Sequence, residues 1–317
     1  MSGPTPFHRL VVRQVIGWSV LFPLFFSVPA HGARLHALSA AVDSALLLDM
    51  EEGRVLYAKN SEEEHAPASL VKLMTLYLAL EDVRAGAIQL SDLVPVSVRA
   101  AMVDRYRMGL RAGEPVALQT LLEGVAIASA NDAAAAVAEA LAGSEEAFVA
   151  RMNARGQELG LAHTRFANAH GLPGGEQHTT AADQARLTQR LLADYPESAQ
   201  FLQRRRFVHR GRVFERRFPL FQDPGGILAL KTGYTAEAGY NLAVVARKGG
   251  KQLMVVVLGA ETRGGSFFEA ARLLNFGFRN GEPVRTFKGQ RRGARLRGTV
   301  APQIRLVPAL QLLRRAR

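Results

Sequence analysis

Strand-like segments stand towards both ends of the chain with a long helical block between them, and that order limits the folds open to it. On the N-terminal side, Ser44-Ala45-Leu46-Leu47-Leu48-Asp49 and Arg54-Val55-Leu56-Tyr57-Ala58-Lys59 read as two strands joined through Glu51-Glu52-Gly53. On the other side a strand from Ile227 to Leu230 precedes the turn Lys231-Thr232-Gly233-Tyr234-Thr235. Two apolar strands follow, Leu242 to Ala246 and Leu253 to Gly259, meeting at Gly249-Gly250, and then a helix from Phe267 to Phe278. Between these groups, helices are predicted over Leu118 to Ala128, Asp132 to Leu141 and Glu145 to Leu159, the last capped by Ser144; Thr180 caps another that runs to about Asp194. Residues 203–218 alternate Arg with apolar residues around Arg210-Gly211, as an exposed hairpin with a solvated charged face would. The expected class is α/β of the α+β kind: one antiparallel sheet flanked by helices, with a helical subdomain inserted at about 84–195 and a cleft between the two parts.

The ends are compositionally distinct. His8, Arg9 and Arg13 precede the apolar run Val15 to Phe26, and Val28-Pro29-Ala30 closes it, so residues 1–30 have the pattern of a secretory signal peptide. The chain has no Cys, which excludes a disulfide framework, a thiolate zinc site and a lipid-bearing Cys at the cleavage point. An exported, periplasmic and unlipidated protein is expected. Its net charge of +12 would permit nucleic-acid binding, but export redirects that charge to anionic envelope polymers or lipid headgroups. Residues 281–317, with ten Lys or Arg against one Glu, form a basic tail expected to meet an anionic membrane surface, leaving residues 31–280 as the folded domain.

Chemistry centres on Ala66-Pro67-Ala68-Ser69-Leu70-Val71-Lys72. Pro67 suits the first turn of a helix, and Leu70, Leu73, Leu76, Tyr77 and Leu80 follow at helical spacing, so Ser69 should lie near a helix N-terminus. Residues three apart share a helix face, which brings the Lys72 amine to the Ser69 hydroxyl beside the unpaired N–H groups of the first turn. Lys is the right residue for a base, since apolar surroundings can strip its proton, and Arg is not. In a chain with 34 Arg and six Lys, this Lys is unlike the rest of the charge. Taken alone the motif has two readings, a nucleophile with its base or a helix start with a snorkelling Lys.

Two further motifs follow in order, Ser129-Ala130-Asn131 and Lys231-Thr232-Gly233. By composition the three occur by chance about 0.25, about 0.3 and about 0.02 times, jointly about once in a thousand such chains. The set resembles the active-site serine penicillin-recognising enzymes. With its flanks Asp132-Ala133, His170-Gly171-Leu172-Pro173 and Tyr234-Thr235 to Ala238-Gly239-Tyr240-Asn241, it is similar to the D-alanyl-D-alanine carboxypeptidases among them, over about residues 42–280. The resemblance implies the β-lactamase/DD-peptidase-like fold, a peptidoglycan stem peptide as substrate and β-lactams as covalent inhibitors. It also implies roles for residues: Ser69 is acylated, Lys72 takes its proton and Ser129 relays a proton. Asn131 holds Lys72 and the substrate amide, Lys231 and Thr232 bind the free carboxylate, and Gly233 lets the sheet edge approach the substrate. The N–H groups of Ser69 and Tyr234 form the oxyanion hole.

No metal or cofactor is called for: His163, His170 and His178 lack ligand spacing and read as loop structure, and Asp132 and Asp183 read as helix support. The chain departs from the family at Leu228-Ala229, where Asp-Gly is usual, and at Ser266, where an Arg usually precedes the first aromatic of the last helix. Arg263, in a flexible Thr262-Arg263-Gly264-Gly265 turn whose two glycines let its side chain swing into the cleft, is the nearest replacement cation for the substrate carboxylate. Three alternatives stay open: an endopeptidase cutting cross-links, a β-lactamase-like hydrolase (no Glu-x-x-Leu-Asn stretch separates the second and third motifs), and an inactive wall-binding relative.

Overall fold

A computed structural model describes residues 42–216 and 226–279. The signal segment, the basic tail and the end of the arginine-rich stretch lie outside the described residues. In chain order come β1 (Ser44–Asp49), β2 (Arg54–Lys59), a 3-10 turn (Ala68–Val71) leading into α1 (Lys72–Arg84), β3 (Leu93–Pro95), α2 (Val98–Met102) and β4 (Pro115–Ala117). Next are α3 (Leu118–Glu123) with a π-helical turn (Gly124–Ala128), α4 (Asn131–Ala142), α5 (Glu145–Glu158), α6 (Ala181–Asp194) and α7 (Ser198–Gln203). The hairpin β5 (Arg206–His209) and β6 (Arg212–Glu215) precedes β7 (Ile227–Thr235), β8 (Gly239–Lys248), β9 (Lys251–Ala260) and α8 (Arg263–Phe278).

Five strands form one sheet in the order β2-β1-β9-β8-β7, every neighbour antiparallel. The first strand does not alternate apolar with polar residues because both faces of the sheet are covered. Leu47, Val244 and Val255 meet Phe267 and Leu274 of α8, while Leu46, Val245 and Val256 belong to the larger core built on the helical block. Running through that block, α1 is buried all round from Lys72 to Leu80 and packs on α4, α5, α6 and α7. An apolar stripe had marked only one side of it. The expected caps are in place: Ser144 Oγ accepts from Ala147 N at 3.1 Å, and Thr180 Oγ1 from Asp183 N at 3.0 Å.

The structure corrects four readings. Lys231-Thr232-Gly233-Tyr234-Thr235 is not a turn: β7 runs unbroken through it at the edge of the sheet, paired with β8 from Ile227 to Thr235. Pro67 does not open an α-helix; the 3-10 turn intervenes because Ala68 sits at φ +47°, and α1 starts at Lys72. Arg263 is not in a flexible turn but in the first turn of α8, whose N-cap Thr262 takes the Gly265 N–H at 2.9 Å. Finally, the arginine-rich hairpin is not wholly solvated, since Arg216 is buried.

Candidate active site

Among the described residues β7 pairs with β8 alone, and the Ser69 turn lies along its other edge. The approach is close enough to select glycine. A Cβ on Gly233 would stand 2.9 Å from Ser69 N, and one on Gly171, at φ +86°, would stand 2.0 Å from Ala68 O. Asn241 of β8 ties down the same turn: its Nδ2 donates to Ala66 O at 2.9 Å and Pro67 O at 3.1 Å, while Gly259 N donates to its Oδ1. Three distant segments thus hold Ala68 in a left-handed conformation that costs an Ala roughly 1–3 kcal/mol and aim Ser69 into the cleft.

Lys72 is wholly buried, its Nζ 3.0 Å from Ser69 Oγ, 2.7 Å from Asn131 Oδ1 and 2.5 Å from His170 O. The Asn131 amide can point only one way, because its Nδ2 donates to two carbonyls, Asp104 O and Arg105 O, each at 3.0 Å. Both Asn131 Oδ1 and His170 O can only accept. A neutral amine has two N–H groups for these two acceptors, and its lone pair is then left for the Ser69 hydroxyl. Burial favours that neutral form, bringing the Lys72 pKa down to about 7 against the opposing pull of Asp132.

Asp132 organises the wall opposite β7. Its carboxylate accepts from Met108 N, Gly109 N, Leu110 N and Ala133 N at 2.9–3.1 Å. Asn131 N meanwhile donates to Tyr106 O at 2.7 Å. That loop carries Arg105 and Tyr106 at positive φ and sets Tyr106 on the cleft. Ser129 ends the π-helical turn at φ +55°, where its Oγ receives Lys231 Nζ at 2.8 Å. Lys231 also donates to Thr232 O and is buried, and its pKa is held well below the usual lysine value by burial and by the charges of Lys72 and Arg216.

Arg216 is the residue the sequence reading missed. Its guanidinium donates to the carbonyls of Ala126, Leu202, Arg204 and Leu230 at 2.5–3.2 Å, joining the hairpin, the π-helical turn and β7 behind the site. Nothing in the Arg-apolar alternation separates this Arg from its exposed neighbours. His170 was read as loop structure, and its ring has a defined place: Leu172 N donates to Nδ1 at 3.1 Å, which leaves the Nε2 side facing Glu145 Oε1 at 3.5 Å. Burial and the charges of Lys72 and Arg99 push its pKa down to about 3, so the ring is neutral.

A cleft of about 630 Å³ opens onto Ser69, Ser129, Arg216, Thr232, Tyr234 and Arg263. Tyr234 stacks on Tyr240 with ring centres 4.3 Å apart. Exposed Arg263 lies 6.0 Å over Phe267, and buried Ser266 donates to Arg263 O at 2.9 Å. Every residue named from the three motifs therefore reaches the cleft or the groups that line it. His163 and His178 stand apart beside Glu64, and no metal-binding cluster is found among the described residues.

Residues 31–262 match the family described as D-alanyl-D-alanine carboxypeptidase. D-alanyl-D-alanine carboxypeptidase DacF of Bacillus subtilis (strain 168) is 36% identical over 277 residues, covering 85% of this chain and 71% of the relative. DacC of Escherichia coli (strain K12), of the same name, is 37% identical over 293 residues, covering 90% and 73%. Penicillin binding protein 5 from Haemophilus influenzae superposes with a TM-score of 0.73 at 32% identity, covering 75% of this chain and 71% of that one. On this match, which takes in all three motifs, the chain belongs to the D-alanyl-D-alanine carboxypeptidase family.

Proposed function

We propose that this chain is a serine DD-carboxypeptidase that removes the terminal D-Ala from peptidoglycan stem peptides through an acyl-enzyme, and that β-lactams acylate the same serine. The observation that carries this reading is the Lys72 amine, wholly buried, with two acceptors for its N–H groups and Ser69 Oγ at 3.0 Å. Neutral Lys72 takes the hydroxyl proton as Ser69 Oγ bonds to the penultimate D-Ala carbonyl carbon. The N–H groups of Ser69 and Tyr234 face the oxyanion. As the C–N bond breaks, Ser129, held by Lys231, passes a proton to the leaving amine; water then cleaves the ester and frees Ser69. Lys231 and Thr232 take the terminal carboxylate, with the β7 edge at Gly233 alongside the peptide. With Lys72, Lys231 and Arg216 clustered and Lys231 pushed towards neutrality, an arriving carboxylate restores the Lys231 charge it then binds. The substrate lies outside the cytoplasmic membrane, so this reading requires the export that residues 1–30 are expected to direct.

The test is a fluorescent penicillin followed by peptide mass spectrometry, together with digestion of a stem pentapeptide. The acyl mass is expected on the peptide containing Ser69, and free D-Ala in the digest. An acyl group on another residue, or labelling without D-Ala release, would overturn the reading.

Arg263 contributes a second cation at the carboxylate end. Because it is exposed, its effect is smaller than a buried pair's, and Arg263→Ala should lower kcat/KM on a free-acid peptide by roughly three- to tenfold. The same change on the C-terminal amide should be near nil; an equal effect on both would assign the carboxylate to Lys231 and Thr232 alone.

A further inference from the structure

Glu145 opens α5, yet its side chain is buried and does not line the cleft. A carboxylate taken out of water is costly unless its oxygens find partners. Both do: Oε1 accepts from Ala169 N at 3.0 Å, and Oε2 accepts from Arg99 Nη2 at 3.1 Å. Oε1 also stands 3.5 Å from His170 Nε2. We infer that Glu145 is a positioning residue for the reaction: by fixing the backbone at Ala169 and His170 it aims the carbonyl that turns the Lys72 lone pair towards Ser69. The inference rests on the reading of Lys72 as the base.

Residues 168–171 cross α1 as a strap, buried from Ala169 to Gly171. Lys72 and Thr75 are three apart on α1 and so rise from one side of it. Together they grip two successive carbonyls of the strap, Thr75 Oγ1 donating to Ala169 O at 2.7 Å and Lys72 Nζ to His170 O at 2.5 Å. Asn168 Oδ1 accepts from His170 N at 3.3 Å and Gly171 N at 2.6 Å, curling the strap on itself. Glu145 holds the peptide that enters it, through the N–H of wholly buried Ala169.

The two acceptors of the Lys72 amine are therefore set by different means. Asn131 Oδ1 is oriented by the bonds of its own amide to Asp104 O and Arg105 O, whereas His170 O is oriented by the strap. If the strap shifts, one N–H of the neutral amine loses its acceptor, and rotation about the Cε–Nζ bond carries the lone pair away from the Ser69 hydroxyl. The position calls for an oxygen at the right reach more than for a charge. Arg99 is half-exposed and also meets Glu146 at 2.9 Å, so it can part from Glu145 without being stranded in the interior. Gln supplies the oxygen at full reach, Asp keeps the charge but is one methylene shorter, and Ala supplies neither.

The experiment is stopped-flow acylation of the full chain by a fluorescent penicillin, with Glu145→Gln, Glu145→Asp and Glu145→Ala beside the wild type. The limiting first-order rate at saturation belongs to each folded molecule and does not depend on the fraction folded. It should fall about ten- to thirtyfold in the Asp and Ala variants and stay within about twofold in Gln, a 1 Å misplacement being able to cost about a hundredfold. The dissociation constant that precedes acylation should not move, because Lys231 and Thr232 are untouched. Asp and Ala variants as fast as the wild type, a Gln variant as slow as Ala, or a loss confined to the dissociation constant would overturn the inference. If the Ala variant does not fold, the Asp and Gln pair decides alone. Release of D-Ala from a stem pentapeptide by the wild type is scored in parallel: its absence would overturn the carboxypeptidase reading, while a slow Asp beside a fast Gln would still support Glu145. A wild type that penicillin does not acylate would overturn both.

Discussion

Lys72→Arg should slow penicillin acylation by about 10²–10⁴, the usual contribution of a general base. The change keeps a cation beside Ser69, Asn131 Oδ1 and His170 O, so a merely electrostatic Lys72 would survive it. Arginine stays protonated and offers no lone pair. The pH profile provides the second check. Burial lowers the Lys72 pKa to about 7; the working form is the deprotonated one, so acylation by wild type should rise with pH through about 7 and level off above it. The residual rate of the variant should lack that limb. Stopped-flow acylation from acid to mildly alkaline pH measures both, and a variant within a few-fold of wild type would exclude Lys72 as the base.

Asp132→Ala should cost about 3–5 kcal/mol of stability, the largest loss expected from a residue that touches no substrate. Its carboxylate takes four backbone N–H groups, those of Met108 and Leu110 in buried residues, and alanine would leave them without an acceptor where water does not reach. Each such orphan costs about 1–3 kcal/mol. Asp132→Asn should lose nearly as much, because an amide can offer one oxygen but turns its NH₂ towards the remaining donors. Urea unfolding measures the loss. Penicillin acylation of the folded fraction should slow too, since the loop at Tyr106 positions Asn131. Unchanged midpoints in both variants would mean that the loop holds without the carboxylate.

Where local pattern carries the information, the sequence is readable. The strands of the first hairpin, the caps at Ser144 and Thr180 and the three-residue spacing that brings Lys72 to Ser69 are local, and each stands where propensity or spacing places it. Misreadings occur where a residue answers to a partner far along the chain. Gly233 looks like a turn glycine, yet it sits in a strand because the Ser69 amide leaves no room for a Cβ. Arg216 looks like its neighbours, and only the convergence of four carbonyls from separate segments buries it. Asn241 was noticed as a flank of the third motif, but its grip on the Ala66 and Pro67 carbonyls needs the β8 backbone beside the 3-10 turn. Arg263 was given a mobile turn on the strength of two glycines, while the Thr262 cap winds those glycines into a helix.

The clamp on the Ser69 turn also bears on the order in which the molecule comes together. Ser69 takes its geometry from Gly171, Gly233 and Asn241, and the strand before it, β1, pairs with β9, Ser44 standing opposite Leu258. Contacts spanning some two hundred residues are late events, because long loops must close before such contacts repay their entropy. A chain made from its N-terminus therefore carries its nucleophile early but cannot shape it until the last strands arrive. Until then Ala68 has no reason to hold its left-handed turn, Lys72 has no buried cage to lose its proton in, and Ser69 is an ordinary hydroxyl. Covalent capture by a β-lactam thus marks finished molecules, and the half-made chain is spared.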